Sequence, residues 1–145
     1  MHKNNQLIIA GSLSILAALL HIGCIFGGPD WYIFFGAGQR MAQLAAHGDP
    51  YPTIATLVIA SILTGWGLYA FSGAGIIIKL PLLKTCLALI TAIYLLRGIA
   101  GLVGPFLTSA PVVHQNSITF WLVSSFICCI YGTFYLFGTV KLWRQ

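Results

Sequence analysis

Four stretches of nearly uninterrupted apolar sequence run over residues 7–28, 53–73, 82–104 and 118–140. Each meets the ~20 residues that a helix needs to cross the hydrocarbon of a bilayer. Helix-breaking and capping residues flank them. Gly27-Gly28-Pro29 is expected to stop the first, and Asp49-Pro50-Tyr51-Pro52 to start the second. Gly104-Pro105 should stop the third, and Asn116-Ser117 should cap the fourth. The apolar core of the first span is longer than that of a secretory signal and no A-x-A-like site follows it, so it is expected to be a retained helix.

The connection between the first two spans has its own periodicity. Trp31, Phe34, Phe35, Met41 and Ala45 fall on one helical face, and Gln39, Arg40, Gln43 and His47 on another. That spacing predicts an amphipathic helix over 30–47, suited to lying at the headgroup level, with Gly36-Ala37-Gly38 as a point where it could bend inward as a re-entrant lid.

Composition narrows the class. Of 145 residues, 59% are hydrophobic and only 6% are charged; the mean hydropathy is +0.93. A soluble domain carries about a quarter charged residues, because its surface faces water. The expectation is one all-α integral membrane domain, a four-helix bundle over 1–145. The net charge of +5 comes from single, scattered Lys and Arg side chains, without the stripe that would track phosphates, so nucleic acid is not an expected partner.

Those charges instead predict topology. Lys3, Lys79, Lys84, Lys141 and Arg144 flank one side of the spans, whereas the opposite connections hold only Arg40, beside Asp30 and Asp49. The positive-inside bias puts both termini in the cytoplasm. A compact multi-pass chain without a eukaryotic targeting feature suits a bacterial inner membrane.

The chain also resembles itself. Leu19-Leu20-His21 precedes Gly28-Pro29 by six residues, and Leu95-Leu96-Arg97 precedes Gly104-Pro105 by six. The segments Trp66–Gly73 and Tyr131–Gly138 align as well. Offsets of 76 in the odd spans and 65 in the even ones differ by the extra length of the first connection. Two helical hairpins with the same starting side would form a parallel repeat.

Under that alignment His21 and Arg97 are equivalent, each about 21–23 Å into a ~30 Å core. An ionisable group at such a depth costs at least ~2.5 kcal/mol without a partner or water, which makes it a functional candidate. His21 shares its face with Ser14, Ala17 and Cys24; Arg97 shares one with Tyr94, Gly101 and Gly104. Stripes of Ser61, Thr64 and Leu68, and of Ser117, Trp121, Ser124, Cys128, Tyr131 and Tyr135, would complete a semi-polar cavity. The plainer reading is that Arg97 snorkels to the headgroups or pairs with Asp30 or Asp49, while His21 bonds a neighbouring carbonyl.

Other chemistry is missing. His2, His21, His47 and His114 are dispersed, and the four cysteines lie in apolar runs without C-x-x-C, so no metal, disulfide framework or cofactor is expected. None of the four spans holds a carboxylate, which weighs against a proton-coupled pump.

The leading function is the binding or passage of an anionic or polar-headed small molecule or lipid. Arg97 would supply charge, His21 and Gln39 hydrogen bonds, and Trp66, Tyr94 and Trp121 an apolar wall, with Asp30 at the mouth. The alternative is a non-catalytic assembly subunit or homo-oligomer packing through Ala10-Ser14-Ala18 and Gly23-x3-Gly27. A lipid-acting enzyme with His21 as general base stands third, since no nucleophile accompanies it.

Overall fold

A computed structural model of the chain describes residues 4–109, 111 and 116–144. His2, Lys3 and His114 lie outside these. Among the described residues the fold is entirely helical: α1 (Asn5–Gly27), α2 (Pro29–Phe34), α3 (Gln39–Ala46), α4 (Tyr51–Gly73), α5 (Leu83–Leu107) and α6 (Ile118–Trp143). Of these, α1, α4, α5 and α6 are long and apolar enough to cross a membrane, so this is a multi-pass membrane protein.

The helix ends follow local chemistry. Asn4 caps α1, its Oδ1 accepting from the Leu7 amide at 3.4 Å, and Gly28 at φ +70° ends it. The Asp49 carboxylate accepts from the Tyr51 amide at 2.8 Å where α4 begins. Ser117 caps α6 by accepting from the Phe120 amide at 3.1 Å. The third span departs from expectation. Pro105 does not stop α5, which continues to Leu107 and closes with the Thr108 amide on the Gly104 carbonyl at 3.1 Å. A proline this close to the end removes a single helical hydrogen bond, and the last turn tolerates it.

The helices pair tightly as two hairpins, α1 with α4 and α5 with α6, while α1 against α6 and α4 against α5 close the ring. Glycines set the closeness. A Cβ on Gly67 would stand 3.1 Å from the Gly11 carbonyl, and one on Gly11 as near the Gly67 carbonyl. In the second hairpin a Cβ on Gly98 would stand 3.1 Å from the Ser125 carbonyl, and one on Gly132 would press into Leu95. Backbones that meet this closely use packing, rather than hydrophobicity, to associate in lipid. Large apolar side chains such as Leu19, Leu96, Phe126 and Phe137 cover the outside.

The small-residue faces expected to receive a partner are occupied by the chain itself. Ala10, Ser14 and Ala18 are buried inside the bundle. The Trp31 ring lies on Gly27 and comes within 3.2 Å of a Cβ built on Gly23.

The single helix expected over 30–47 is instead two short ones. Gly36 at φ +77° and Gly38 at φ +91° take left-handed backbone between α2 and α3, which breaks the helical register. The anticipated apolar face therefore divides. Tyr32 and Ala42 are buried with Cys24, packed by Met41 and Ala45, while Phe34 remains exposed. The Thr56 hydroxyl donates to the Tyr32 hydroxyl at 3.2 Å, fixing α2 to α4. The Asn116 amide donates to the Gly36 carbonyl at 2.9 Å, and the Phe120 ring sits over Gly36, so the two connections at this end of the bundle meet.

Candidate functional site

Two polar centres lie within the spans. The deeper one joins all four long helices. The Ser14 hydroxyl on α1 is 3.2 Å from the Tyr94 hydroxyl on α5 and 2.8 Å from the Tyr135 hydroxyl on α6. The Tyr135 hydroxyl donates onward to the Trp66 carbonyl on α4 at 3.0 Å. The Tyr94 ring is packed by Trp66 at 5.0 Å, and by Tyr131 and Tyr135 at 5.4 Å each. Ser14, Tyr94 and Tyr135 are buried. Serine and tyrosine suit such a place, since each hydroxyl can both give and take a hydrogen bond.

Arg97 lies one turn beyond Tyr94 on α5, toward the end that carries α2 and α3, and is half-buried. Its guanidinium donates to the Ser125 hydroxyl at 3.1 Å and to the Ser124 hydroxyl at 3.4 Å. It stands 4.9 Å from the centroid of the Trp121 ring. These three residues occur at i, i+3 and i+4 on α6, hence on one face. Gly101 makes room for the contact, because a Cβ there would overlap both the Ser125 hydroxyl and the guanidinium.

Among the described residues no carboxylate pairs with Arg97. Asp30 is exposed in the first turn of α2, and Asp49 is exposed at the start of α4. Among the described residues the guanidinium meets two serine hydroxyls and an indole face, all of them neutral. Neutral partners solvate a cation without cancelling it.

The other expected site residues are placed separately. His21 is half-buried and its Nδ1 donates to the Ala17 carbonyl at 2.7 Å, one turn back on its own helix; no hydrogen bond joins it to Arg97 among the described residues. Trp66 and Tyr94 belong to the aromatic centre. Gln39 is exposed and lines a cleft of about 260 Å³ with Gly36, Asn116, Ser117 and Phe120. A second cleft of about 320 Å³ lies between Tyr32, Gly48, Asp49 and Thr53. Of the expected site residues, Arg97 is brought into contact with Trp121, and Trp66 with Tyr94. Ser125 is the partner of Arg97 that the sequence did not single out; its spacing of four residues from Trp121 was the available signal. No three His, Cys, Asp or Glu side chains gather into a metal-binding group among the described residues.

Comparison with protein-family models, with curated proteins and with solved structures gives no match to this chain.

Proposed function

We propose that this membrane protein binds or passes an anionic or polar-headed small molecule or lipid at an outer-leaflet site built on Arg97. One observation carries the reading: a half-buried arginine inside a span, held by Ser124, Ser125 and Trp121, with no carboxylate to neutralise it. An ion in hydrocarbon is costly unless solvated or paired, so an anion that supplies the missing charge is favoured there. Trp121 provides the flat apolar wall and the two serines fix the guanidinium plane. His21, with one ring nitrogen on its own helix, stands at the equivalent position of the other hairpin.

The same reading places both termini in the cytoplasm, as the Lys and Arg distribution favours, and the α2/α3 end outside. It also takes the two hairpins as repeats. Burial supports this: Ala60, Gly67, Ala70 and Gly73 are buried on α4, and so are their partners at the offset of 65, Ser125, Gly132, Tyr135 and Gly138 on α6. Likewise Gly11, Ser14 and Ala18 on α1 correspond to buried Leu87, Ile90 and Tyr94 on α5.

The test is direct binding of phosphate-bearing probes to detergent-purified protein, using dioleoylphosphatidylglycerol and soluble glycerol 1-phosphate. Wild type should bind at least one of them, and Arg97→Gln should lose that binding while keeping its helical circular dichroism. Binding of both probes that is indifferent to Arg97→Gln would refute the site.

A further inference from the structure

The end of the bundle opposite to α2 and α3 carries a surface that the Arg97 site does not use. At Gly75, with φ +75°, the chain reverses after α4, and the Ile76 amide donates to the Phe71 carbonyl at 3.0 Å. The connection to α5 is then pinned to the helix it has just left. The buried Ser72 hydroxyl donates to the Ile78 carbonyl at 2.8 Å and accepts from the Leu80 amide at 2.9 Å. The Tyr69 hydroxyl donates to the Pro81 carbonyl at 3.3 Å. Serine is short and Ser72 precedes the last residue of α4, so the backbone at 78–80 lies level with that last turn. The side chains it presents are apolar: Ile78 is 82% exposed and Leu82 75%. A pinned apolar patch of this kind marks a contact with lipid or with protein.

The rim of the patch is cationic. Lys79 stands within the connection, Lys84 in the first turn of α5, and Lys141 and Arg144 at the end of α6; all four are exposed. The Lys84 ammonium lies 5.8 Å from the centroid of the Trp143 ring. Asp30 and Asp49, the chain's two acidic residues, stand at the opposite end, so no acidic side chain offsets these charges.

We propose that the α4–α5 connection lies in the bilayer surface at this end, with Ile78 and Leu82 among the acyl chains and Lys79, Lys84, Lys141 and Arg144 on the phosphates of anionic phospholipids. Apolar exposure alone would suit a soluble partner as well; two observations select lipid. Ser72 and Tyr69 take up the Ile78 and Pro81 carbonyls and the Leu80 amide, as a segment beside hydrocarbon requires. Ammonium groups on four-carbon stems, set among isoleucine and leucine, match a surface with phosphates above and acyl chains below. Trp143 beside Lys84 marks the same level, since indole rings favour the interface. This contact is separate from Arg97, which lies on the other side of the Ser14–Tyr94–Tyr135 layer.

The experiment places one full chain per nanodisc of dioleoylphosphatidylcholine and dioleoylphosphatidylglycerol, where both faces are open to water. Ile78→Cys and Leu82→Cys are treated with a charged maleimide, and mass spectrometry locates the label apart from the native cysteines. The protein leaves both positions open, so the bilayer alone can shield them, and each should react about tenfold more slowly than glutathione in the same sample. Electron spin resonance of spin-labelled phosphatidylglycerol and phosphatidylcholine in the same discs reads the headgroup, on wild type and on Arg97→Gln, so that the two anion contacts are told apart. Both proteins should prefer the anionic lipid at their boundary, salt should weaken the preference, and Lys79→Gln with Lys84→Gln should lower it about twofold. Lys79→Arg with Lys84→Arg should keep it. Circular dichroism and a monodisperse elution confirm that each variant is folded. Equal association of the two lipids, or a preference unchanged by the paired Gln substitutions, would overturn the headgroup contact. Reaction of Ile78→Cys and Leu82→Cys as fast as glutathione would put the connection in water, where a soluble partner would have to cover it, and would overturn its place in the bilayer.

Discussion

Ser14→Ala is the sharpest perturbation of the bundle centre. The substitution removes one oxygen and with it two contacts, to Tyr94 at 3.2 Å and to Tyr135 at 2.8 Å. The consequences for the two tyrosines differ. Tyr135 still donates to the Trp66 carbonyl at 3.0 Å, whereas the buried Tyr94 hydroxyl has no other hydrogen bond among the described residues. A hydrogen bond between helices in lipid contributes ~0.6 kcal/mol on average and up to ~1.7, and a buried hydroxyl left without a partner costs ~1–3 kcal/mol. Ser14→Ala should therefore destabilise the bundle by about 2 kcal/mol, of which about half is the stranded hydroxyl. Tyr94→Phe should then change sign with its background. In wild type it loses one bond and costs ~0.6 kcal/mol, but on Ser14→Ala it removes the stranded hydroxyl and restores ~1 kcal/mol. Equilibrium unfolding of the four proteins by sodium dodecyl sulfate in mixed micelles, followed by tryptophan fluorescence, measures the cycle. If Tyr94→Phe is equally destabilising in both backgrounds, the two hydroxyls are not partners and the reasoning fails.

Two further substitutions address the helix contact and the far end of the bundle. Gly67→Ala should cost ~1–3 kcal/mol in the same assay, because its Cβ would meet the Gly11 carbonyl at 3.1 Å, and a backbone atom cannot step aside as a side chain can; Gly65→Ala, where a Cβ meets nothing within 4 Å, should cost almost nothing. Gly36→Ala combines a φ of +77° with a Cβ that would overlap the Phe120 ring, so it should release the Asn116 contact and speed amide hydrogen exchange in α2 and α3, leaving the four long helices unchanged.

The four spans were legible because hydropathy over ~20 residues registers an energy that tertiary packing cannot override. Arg97 was legible for the same reason, as a charge where charge is costly. Its partners were only half legible. Trp121 and Ser124 stood on a recognisable stripe, but Ser125 touches the guanidinium only because the glycines at 98, 101 and 132 draw α5 against α6. A helical wheel gives the face of each helix, not the distance between faces. That is also why Tyr94 and Trp66, expected along a cavity wall, meet ring against ring with no space between them. Small residues were ambiguous in a related way: Ala10, Ser14, Ala18, Gly23 and Gly27 advertise close approach without naming what approaches, and here it is the chain's own helices and Trp31. In the first connection the Gly36-Ala37-Gly38 bend was legible but not its effect: positive φ at Gly36 and Gly38 divides the segment into two short helices, where the periodicity reads as continuous in sequence.

The side chain of Asn4 donates to the Gly138 carbonyl at 2.7 Å, across nearly the whole length of the chain. Synthesis proceeds from the N-terminus, so this bond can form only after α6 has been made. The first hairpin, by contrast, has its Gly11–Gly67 contact available once α4 is complete. Assembly thus divides into two local pairings followed by a closing event that joins the first helix to the last. The acceptor for this amide arrives only with the final helix. Two hairpins expressed as separate chains would retain every element of the first stage and meet through the same seam, with Asn4 and Gly138 serving as its latch.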